Sequence, residues 1–480
     1  MLTIRLIGHE HFYPLCDVAR LFTGVIPRVE GDTIRVDVPS EAVIESRLSE
    51  GKALTSVVEG FPELVGELRA VRKQEDLPSS RECKRQLYVL LSRAYGKEFP
   101  WGALTGIRPT QVAREVDQEE DLMRIYGVRE DKAKLAFATM RGEDDVLADS
   151  DPESLHVYVG IPFCPTRCAY CSFVAQEAPR KTKLLPSYAE AVLRELDLVL
   201  PKIRKPIETL YIGGGTPTVL DDELFTEFIR GVFSHPEFSS LREVTVEAGR
   251  PDTITEKKLA ALREAGVTRI CINPQTLSDA TLLRVGRKHT AEDFLRKFEL
   301  ARSMGFSVIN TDLIAGLPGE SAEEFCDSLS QLIRLGPENI TVHSLSKKRR
   351  ADISREEVLR EQEEELGKME QMLSFSSRVL SEAGYAPYYL YKQKDTLGGH
   401  ENVGYQKDGT SCIYNVAMMS DQRSVLSFGA GGMSKRVFLQ KESHQVRIER
   451  CPCIKDAIQY IEDVEKMAEK KVLFFQTEGK

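Results

Sequence analysis

The sequence predicts an α/β fold: an open, six-stranded (βα)6 partial TIM barrel with an N-terminal α/β extension and a C-terminal α+β lid domain. Between about residues 156 and 345, short apolar runs alternate with amphipathic segments of helical period. This alternation is typical of a parallel sheet with right-handed crossovers. The six runs fall short of the eight strands of a closed barrel. The predicted domains are therefore 1–150, 151–350 and 351–480.

Composition and charge exclude several classes of protein. The 480-residue chain has a formal net charge of −9, which argues against nucleic acid as a partner. No apolar stretch is long enough to span a membrane, and the N-terminus lacks the pattern of a signal peptide. Ten cysteines, three of them clustered, fit a reducing compartment better than a disulfide framework. We therefore expect a cytoplasmic protein.

The first 150 residues have patterns that predict secondary structure but no motif that indicates a catalytic or binding site. Alternating runs predict strands at Leu2–Ile7 and Thr33–Val38, and helical patterns cover 58–75 and 81–95. The segment WGALTGIRPT, 101–110, is either a packed turn or a ligand site with an exposed guanidinium, and the packed turn is favoured. The acidic run 142–153 is a candidate linker. No motif assigns a role to this region.

The predicted barrel strands are 156–162, 208–213, 243–248, 268–273, 307–314 and 340–345. Amphipathic helices are predicted between them, among them 187–200, 255–265 and 291–304. Ser321 with Glu324 three residues later predicts a capping box at the start of another helix. In the C-terminal part, a charged helix is predicted over 354–383, and a last helix over 454–470.

Three cysteines follow the first barrel strand, Cys164, Cys168 and Cys171, with the spacing C-x3-C-x2-C. Three thiolates this close can hold three corners of an iron–sulfur cluster, whereas a structural cluster has four ligands. The missing ligand leaves one iron with an open position, which is typical of a catalytic metal site. The spacing alone also fits a zinc loop or three unrelated core cysteines.

Polar or glycine-rich residues follow the other strands. In α/β barrels the carboxyl ends of the strands carry the chemistry. A glycine run, Gly213–Gly215, follows the second strand and lets a ligand approach the backbone closely. The other residues predicted at this rim are Glu247, Gln275, Arg287 and Asp312. Their carboxylate and amide groups suit hydroxyl and amino groups, and the guanidinium suits a carboxylate.

The motifs IPFCPTRCAYC, YIGGGTPT, INPQT, LLRVGR and NTDLIAGLPGES occur in this order. Together they resemble the radical S-adenosylmethionine (SAM) enzymes of the oxygen-independent coproporphyrinogen III oxidase (coproporphyrinogen dehydrogenase) family, over residues from about 154 to 440. The N-terminal extension with WGALTGIRP is similar to that of the HemZ subgroup. The resemblance implies a 4Fe–4S cluster and SAM as cofactors, with SAM on the open iron and a 5′-deoxyadenosyl radical as the reactive product of its cleavage.

The resemblance also implies roles for individual residues. Cys164, Cys168 and Cys171 match the cluster ligands. The positions that match SAM contacts are Tyr158, Tyr170, Gly214, Gly215, Thr216, Glu247, Gln275, Arg287, Asp312, Ser346 and Met433. At Ser346 and Met433 the surrounding sequence departs from the family pattern.

The family reaction converts two propionates of coproporphyrinogen III to vinyl groups, giving protoporphyrinogen IX. Hydrogen abstraction from the propionate β-carbon is followed by loss of an electron and carbon dioxide. Cations directly follow the sixth strand, and Arg349 and Arg350 are the candidate contacts for propionates. A solvated basic turn is the alternative. The resemblance further implies a low-potential electron donor of the flavodoxin or ferredoxin type.

Two departures leave the substrate open. The well-characterised oxidases have a further cysteine at the position of Phe173, and the haem-carrier relatives have a phenylalanine there. The N-terminal extension also differs from that of the main oxidases. A haem chaperone and a radical SAM methyltransferase or ring-opening enzyme acting on porphyrins are therefore the alternatives. Cys451 and Cys453 suggest a second metal site, but unligated thiols are favoured because two further ligands are missing nearby.

Overall fold

The computed structural model describes residues 1–39, 41–73, 77–106, 108–171, 176–178, 182–345, 355–393, 397–439 and 446–476. The chain forms two compact units. The smaller comprises Met1–Met140, Ser346–Gln362 and Leu390–Glu401, and the larger comprises Arg141–Leu345, Glu363–Tyr389 and Asn402–Lys480. The three predicted domain bounds stay a prediction. Within the described residues, no helix is long and apolar enough to cross a membrane.

The elements of the first 150 residues begin with a mixed sheet and end in helices. In chain order they are β1 Leu2–Ile7, α1 Tyr13–Thr23, β2 Arg28–Glu30, β3 Thr33–Val36, β4 Ala42–Ser49, β5 Lys52–Glu59, β6 Ala70–Arg72, α2 Ser79–Tyr95, α3 Pro109–Ala113, α4 Glu119–Tyr126 and α5 Glu130–Ala148. The sheet order is β2-β3-β1-β4-β5-β6, with β1 and β4 parallel and the other pairs antiparallel. Buried apolar residues alternate with exposed ones along β1, so one face of the sheet packs on the core.

The predicted helix over 58–75 is wrong. The structure has the end of β5 there, a short 3-10 turn at Gly66–Arg69, and β6. In β5, burial alternates with a period of two, which belongs to a strand with one face on the core. The predicted helix over 81–95 is confirmed as α2. The acidic residues 142–148 belong to α5 instead of forming a linker.

The turn around Trp101 is a packed element of the smaller unit. Trp101 is buried, and its Nε1 donates a hydrogen bond to Glu401 Oε2 at 2.7 Å. Lys132 Nζ donates to Glu401 Oε1 at 2.5 Å, and together these bonds satisfy the buried carboxylate. Lys392 Nζ lies 5.3 Å from the centre of the Trp101 ring and donates to the Leu104 carbonyl. Burial lowers the pKa of Lys392 to about 7. This packing favours a structural role for the turn.

After residue 150, strands and helices alternate. In chain order the elements are β7 Leu155–Ile161, β8 Phe163–Cys164, β9 Gln176–Glu177, α6 Leu185–Val199, β10 Ile207–Gly214, α7 Asp222–Phe233, β11 Glu243–Gly249, α8 Glu256–Glu264, β12 Arg269–Ile272, α9 Asp279–Arg284, α10 Ala291–Ser303, β13 Val308–Ala315, α11 Ala322–Leu335, β14 Asn339–Ser344, α12 Arg355–Glu382, β15 Ala386–Lys392, β16 Glu401–Gln406, α13 Ile413–Met419, β17 Ser424–Phe428, β18 Met433–Leu439, β19 Val446–Pro452, α14 Ala457–Glu462 and α15 Val464–Gln476.

The predicted α/β fold is confirmed. Strands β7, β10, β11, β12, β13 and β14 are consecutive parallel neighbours, and their bounds agree with the predicted strands to within one residue. The capping box of Ser321 and Glu324 opens α11 as predicted. The carboxyl ends of all six strands therefore lie at one edge of the sheet, where Cys164 and Gly215 follow β7 and β10.

The sheet extends beyond these six strands on both sides. Its order is β15-β16-β14-β13-β12-β11-β10-β7-β17-β18-β19. Strand β17 is parallel to β7, with Phe428 opposite Val159, and β18 and β19 follow antiparallel. The C-terminal part thus contributes a further parallel strand directly beside the strand that precedes the cysteine motif.

Candidate functional site

The cysteine loop begins where β7 ends and is fastened on two sides. Its first turn forms β8, which pairs with β9. Further on, Ala169 N donates to the Val285 carbonyl at 3.0 Å, just beyond α9, and Cys171 N donates to the Cys168 carbonyl at 3.1 Å. Cys164, Cys168 and Cys171 are all half-buried. The loop therefore presents three thiols at the carboxyl edge of the sheet.

The donor set of this loop fits a multi-iron cluster. Among the described residues, no three His, Cys, Asp or Glu side chains are grouped closely enough to bind one metal ion. In a 4Fe–4S cluster each cysteine binds a different iron, so its ligands are spread around the cluster. Thr216 Oγ1 donates to Cys164 Sγ at 3.5 Å. Burial, with smaller contributions from the neighbouring cysteines, raises the pKa of Cys164 to about 11 despite the hydrogen bond from Thr216. A buried thiol of this kind ionises when it coordinates a metal.

The glycine loop after β10 lies against the start of the cysteine loop. Gly215 N donates to the Ile161 carbonyl and Thr216 N to the Phe163 carbonyl, both at 2.8 Å. A Cβ atom on Gly215 would lie 2.5 Å from the Phe163 oxygen, so no larger residue fits without a backbone shift. Gly214 has a φ of +115°, a conformation that favours glycine. The two loops thus form one continuous backbone surface.

Glu247 connects the glycine loop to the interior of the sheet. Its Oε2 accepts a hydrogen bond from Gly214 N at 3.0 Å, and its Oε1 accepts one from the Tyr211 hydroxyl at 2.6 Å. Burial, with a smaller contribution from the Asp312 carboxylate, raises the pKa of Glu247 to about 7 despite these bonds. Asp312 behaves differently: burial would raise its pKa, but His343, at 3.6 Å, holds the pKa below its usual range. The pKa values of these two carboxyl groups are therefore shifted in opposite directions, upward for Glu247 and downward for Asp312.

Three tyrosine rings stack beneath this region. The ring centres of Tyr211 and Tyr414 are 4.6 Å apart, and Tyr158 lies 6.1–6.2 Å from both. Tyr414 is placed by Glu243, whose carboxylate accepts hydrogen bonds from the Ile413 and Tyr414 amides at the start of α13. A Cβ atom on Gly214 would lie 3.1 Å from the Tyr158 hydroxyl. The stack therefore supports the glycine loop from below.

Gln275 is held in a conformation that is unusual for a residue with a side chain. Its φ is +71°, and its backbone bridges to β13 through Gln275 N and the Asp312 carbonyl at 3.0 Å. Its side-chain Oε1 is buried and has no hydrogen-bond partner among the described residues. Left-handed backbone and an unsatisfied buried acceptor are both typical of ligand-binding positions.

Arg287 and Tyr170 join the fourth strand's loop to the cysteine loop. Arg287 Nε donates to the Tyr170 hydroxyl at 3.1 Å, and Nη1 donates to the Asn273 carbonyl at 2.6 Å. Arg287 is 7 % exposed, and burial raises the pKa of Tyr170. The Arg287 guanidinium therefore lies at the carboxyl edge of the sheet, beside Tyr170, the residue before Cys171.

The loop before Met433 is fixed by a buried charge network. Gly429 N donates to Glu195 Oε2 at 3.0 Å, and the Tyr460 hydroxyl donates to the same oxygen at 2.7 Å. Lys471 Nζ pairs with Glu195 Oε1, and both side chains are at most 1 % exposed. Met433 itself begins β18 and is 37 % exposed. The Glu195 carboxylate thus connects Lys471 of α15 to Gly429 in the loop before β18.

Several predicted residues lie outside the described residues: Ser346, Arg349, Arg350 and Phe173. Cys451 and Cys453 are free and buried, and burial raises the pKa of both.

Sequence reasoning missed several residues of the rim. Arg250 and His343 lie next to predicted site residues, and Tyr211 and Tyr414 complete the ring stack. Three of them could have been found from their place in the sequence. Each lies in a predicted barrel strand or directly after one: Arg250, Tyr211 and His343. Tyr414 had no such signal because it lies far along the chain, after residue 350.

The chain is similar to known proteins over most of its length. Residues 158–332 match the Radical SAM superfamily. The chain is 36 % identical over 410 residues to the oxygen-independent coproporphyrinogen-III oxidase-like protein HemZ of Bacillus subtilis, covering 81 % of this chain and 80 % of that protein.

Two other similarities are more limited. The haem chaperone HemW of B. subtilis is 36 % identical over 193 residues, which cover 39 % of this chain and 49 % of HemW. The solved structure of coproporphyrinogen III oxidase (HemN) from Escherichia coli is 20 % identical, with a TM-score of 0.49, over 69 % of this chain and 73 % of that chain. The extent of the HemZ match decides the family. The chain belongs to the radical SAM family of oxygen-independent coproporphyrinogen-III oxidase-like proteins, and its cofactors are a 4Fe–4S cluster and SAM.

Proposed function

We propose that Cys164, Cys168 and Cys171 hold three irons of the 4Fe–4S cluster and that SAM occupies the fourth. The observation that supports this most is the placement of the loop. It follows β7 at the carboxyl edge of the sheet, and the glycine loop lies directly on it through Gly215 N and Thr216 N. A ligand on the open iron would therefore meet the backbone of the glycine loop and polar side chains at once.

The proposed SAM contacts divide by chemistry. Glu247 and the backbone of Gly214 and Gly215 suit the amino group and the methionyl chain, since the carboxylate is an acceptor and glycine allows close approach. Gln275 Oε1, a buried acceptor without a partner among the described residues, suits a hydroxyl or amino donor. Arg287 suits the SAM carboxylate. Tyr158, Tyr170, Thr216, Asp312, Ser346 and Met433 complete the proposed set.

We further propose that the protein catalyses oxidative decarboxylation of coproporphyrinogen III to protoporphyrinogen IX. When bound, cluster and SAM would supply a 5′-deoxyadenosyl radical, an oxidant able to abstract hydrogen from the propionate β-carbon. Each propionate then loses one electron to an acceptor and one carbon dioxide, and a vinyl group remains. The similarity to HemZ over four fifths of both chains supports this choice. A flavodoxin or ferredoxin is the proposed electron donor, and Arg349 and Arg350 are the proposed propionate contacts.

The test is an anaerobic assay of the reconstituted protein with SAM, reductant and coproporphyrinogen III, analysed by mass spectrometry. We expect protoporphyrinogen together with 5′-deoxyadenosine. Cys164→Ala, Cys168→Ala and Cys171→Ala should each abolish SAM cleavage, whereas replacing both Cys451 and Cys453 by alanine should leave the iron content unchanged. Turnover by any of the three single variants would contradict the ligand assignment. Deoxyadenosine without protoporphyrinogen would contradict the substrate.

A haem chaperone is the second candidate. Phe173 replaces a cysteine of the well-characterised oxidases, and the chain is also similar to HemW proteins over 193 and 268 residues. This function predicts stoichiometric haem binding with no conversion of coproporphyrinogen III. Haem titration followed by absorbance, on the same preparation as the assay, separates the two functions.

A further inference from the structure

Arg250 is a buried cation that no predicted motif includes. It directly follows β11 and is only 3 % exposed. Buried arginines need partners, because an unpaired charge in the interior is strongly unfavourable. Its contacts therefore indicate what it does.

One edge of the Arg250 guanidinium pairs with the Asp252 carboxylate. Nε donates to Oδ1 at 2.9 Å and Nη2 donates to Oδ2 at 2.8 Å, which is a bidentate arrangement. His289 Nδ1 is 3.9 Å from Asp252 Oδ1 and is a titratable group beside this carboxylate. Burial would raise the pKa of Asp252, but Arg250 holds it below its usual range. The pair fixes the plane of the guanidinium.

The remaining nitrogen points into the cysteine loop. Nη1 donates to Thr166 Oγ1 at 2.7 Å and to the Thr166 carbonyl at 3.3 Å, between the first and second cysteines. The same nitrogen is 4.0 Å from Cys168 Sγ. A fixed positive charge is thus held beside one sulfur of the loop.

We propose that Arg250 is a positioning residue that braces the cysteine loop and raises the reduction potential of the cluster, with Asp252 as its counter-charge. This inference rests on the proposed role of Cys164, Cys168 and Cys171 as cluster ligands. Reduction adds one negative charge to the cluster. A cation beside a ligand sulfur stabilises the reduced form, and hydrogen bonds to cluster sulfurs act in the same direction.

The sign of each substitution follows from this pair. Arg250→Gln leaves the Asp252 carboxylate without its cation, so the reduced cluster becomes less favourable. Asp252→Asn leaves the cation without its counter-charge, so the reduced cluster becomes more favourable. Arg250→Lys keeps the charge and loses the planar fork. Arg85→Gln is the matched control, because Arg85 forms a similarly buried, bidentate pair with Glu82 in the smaller unit.

The experiment is a redox titration of the reconstituted full-length protein, followed by electron paramagnetic resonance, with iron content measured in parallel. It uses neither SAM nor porphyrin, so its outcome is independent of the proposed substrate. At a fixed ambient potential, we expect the ratio of reduced to oxidised cluster to fall at least about tenfold in Arg250→Gln, which corresponds to about 59 mV for one electron. We expect a rise of similar size in Asp252→Asn and no change in Arg85→Gln.

Arg250→Lys should stay within about threefold of wild type, since the charge is retained. If Arg250→Gln fails to hold the cluster, Asp252→Asn decides: an increased ratio supports the proposal and an unchanged ratio overturns it. Unchanged ratios in both Arg250→Gln and Asp252→Asn, with full iron content, would overturn the role of Arg250 and leave the cluster ligands intact. A wild-type protein without a four-iron cluster would overturn both proposals.

Discussion

If Glu247 pairs with the SAM amino group as proposed, its raised pKa makes SAM binding depend on pH in a way that one substitution removes. With a pKa of about 7, about one tenth of Glu247 is ionised at about pH 6 and about nine tenths at about pH 8. Only the ionised form pairs with the SAM amino group. The carboxylate therefore favours binding about tenfold more at the higher pH.

The titration of the SAM amino group is common to wild type and Glu247→Gln, so it cancels when the two proteins are compared. The ratio of the wild-type affinity to that of Glu247→Gln should therefore rise about tenfold from about pH 6 to about pH 8. At about pH 8 the variant should bind SAM about 10–150-fold more weakly, because a charge-assisted hydrogen bond of about 1.5–3 kcal/mol is lost.

The assay is anaerobic titration calorimetry of SAM into the reconstituted protein at both pH values, with circular dichroism and iron content as checks on folding. Asp312 and His343 also act on the pKa of Glu247. The variant His343→Asn is therefore a further control, and it should retain the pH dependence that arises from Glu247. Equal pH dependence in wild type and Glu247→Gln would refute the reasoning.

Two further substitutions test the packing around the site. In Gly215→Ala the added Cβ would lie 2.5 Å from the Phe163 oxygen, so we expect about 1–3 kcal/mol of destabilisation in thermal unfolding and weaker SAM binding. Gly367→Ala meets nothing within 4 Å and should stabilise helix α12 by up to about 1 kcal/mol; equal effects of the two would contradict the steric argument. Lys471→Met leaves a buried charge on Glu195 and should lower the free energy of unfolding in urea by about 3–5 kcal/mol. Adding Glu195→Gln should recover most of that loss, and a double variant no more stable than the single one would contradict the ion-pair account.

The barrel could be predicted closely because each strand is an apolar run that ends at a glycine, proline or polar residue. Glu247 illustrates why the rim was also accessible: an acid at the end of an apolar strand has few positions other than the carboxyl edge. The helix predicted over 58–75 failed because helical spacing was assigned to a segment that holds only the last two residues of β5, too few to show the alternation of that strand, followed by Pro62 and Gly66.

Other features depend on distances that a sequence does not contain. Arg250 is one arginine among many until its contact with Thr166 is known. Strand β17 has five residues, too few for a periodicity to separate it from a buried turn. The ring stack joins Tyr158 to Tyr414 across more than half of the chain, and local patterns carry no information on such pairs.

The position of β17 beside β7 has a consequence for biosynthesis. Strand β7, which leads into Cys164, finds its neighbour on that side about 270 residues later in the chain. At about 5–20 residues per second, a ribosome needs about 15–50 s to supply it. During that interval one edge of β7 has unpaired backbone groups, and such an edge can pair with strands of other chains. Iron loading should therefore follow the synthesis of β17, and fragments that stop near residue 350 should aggregate.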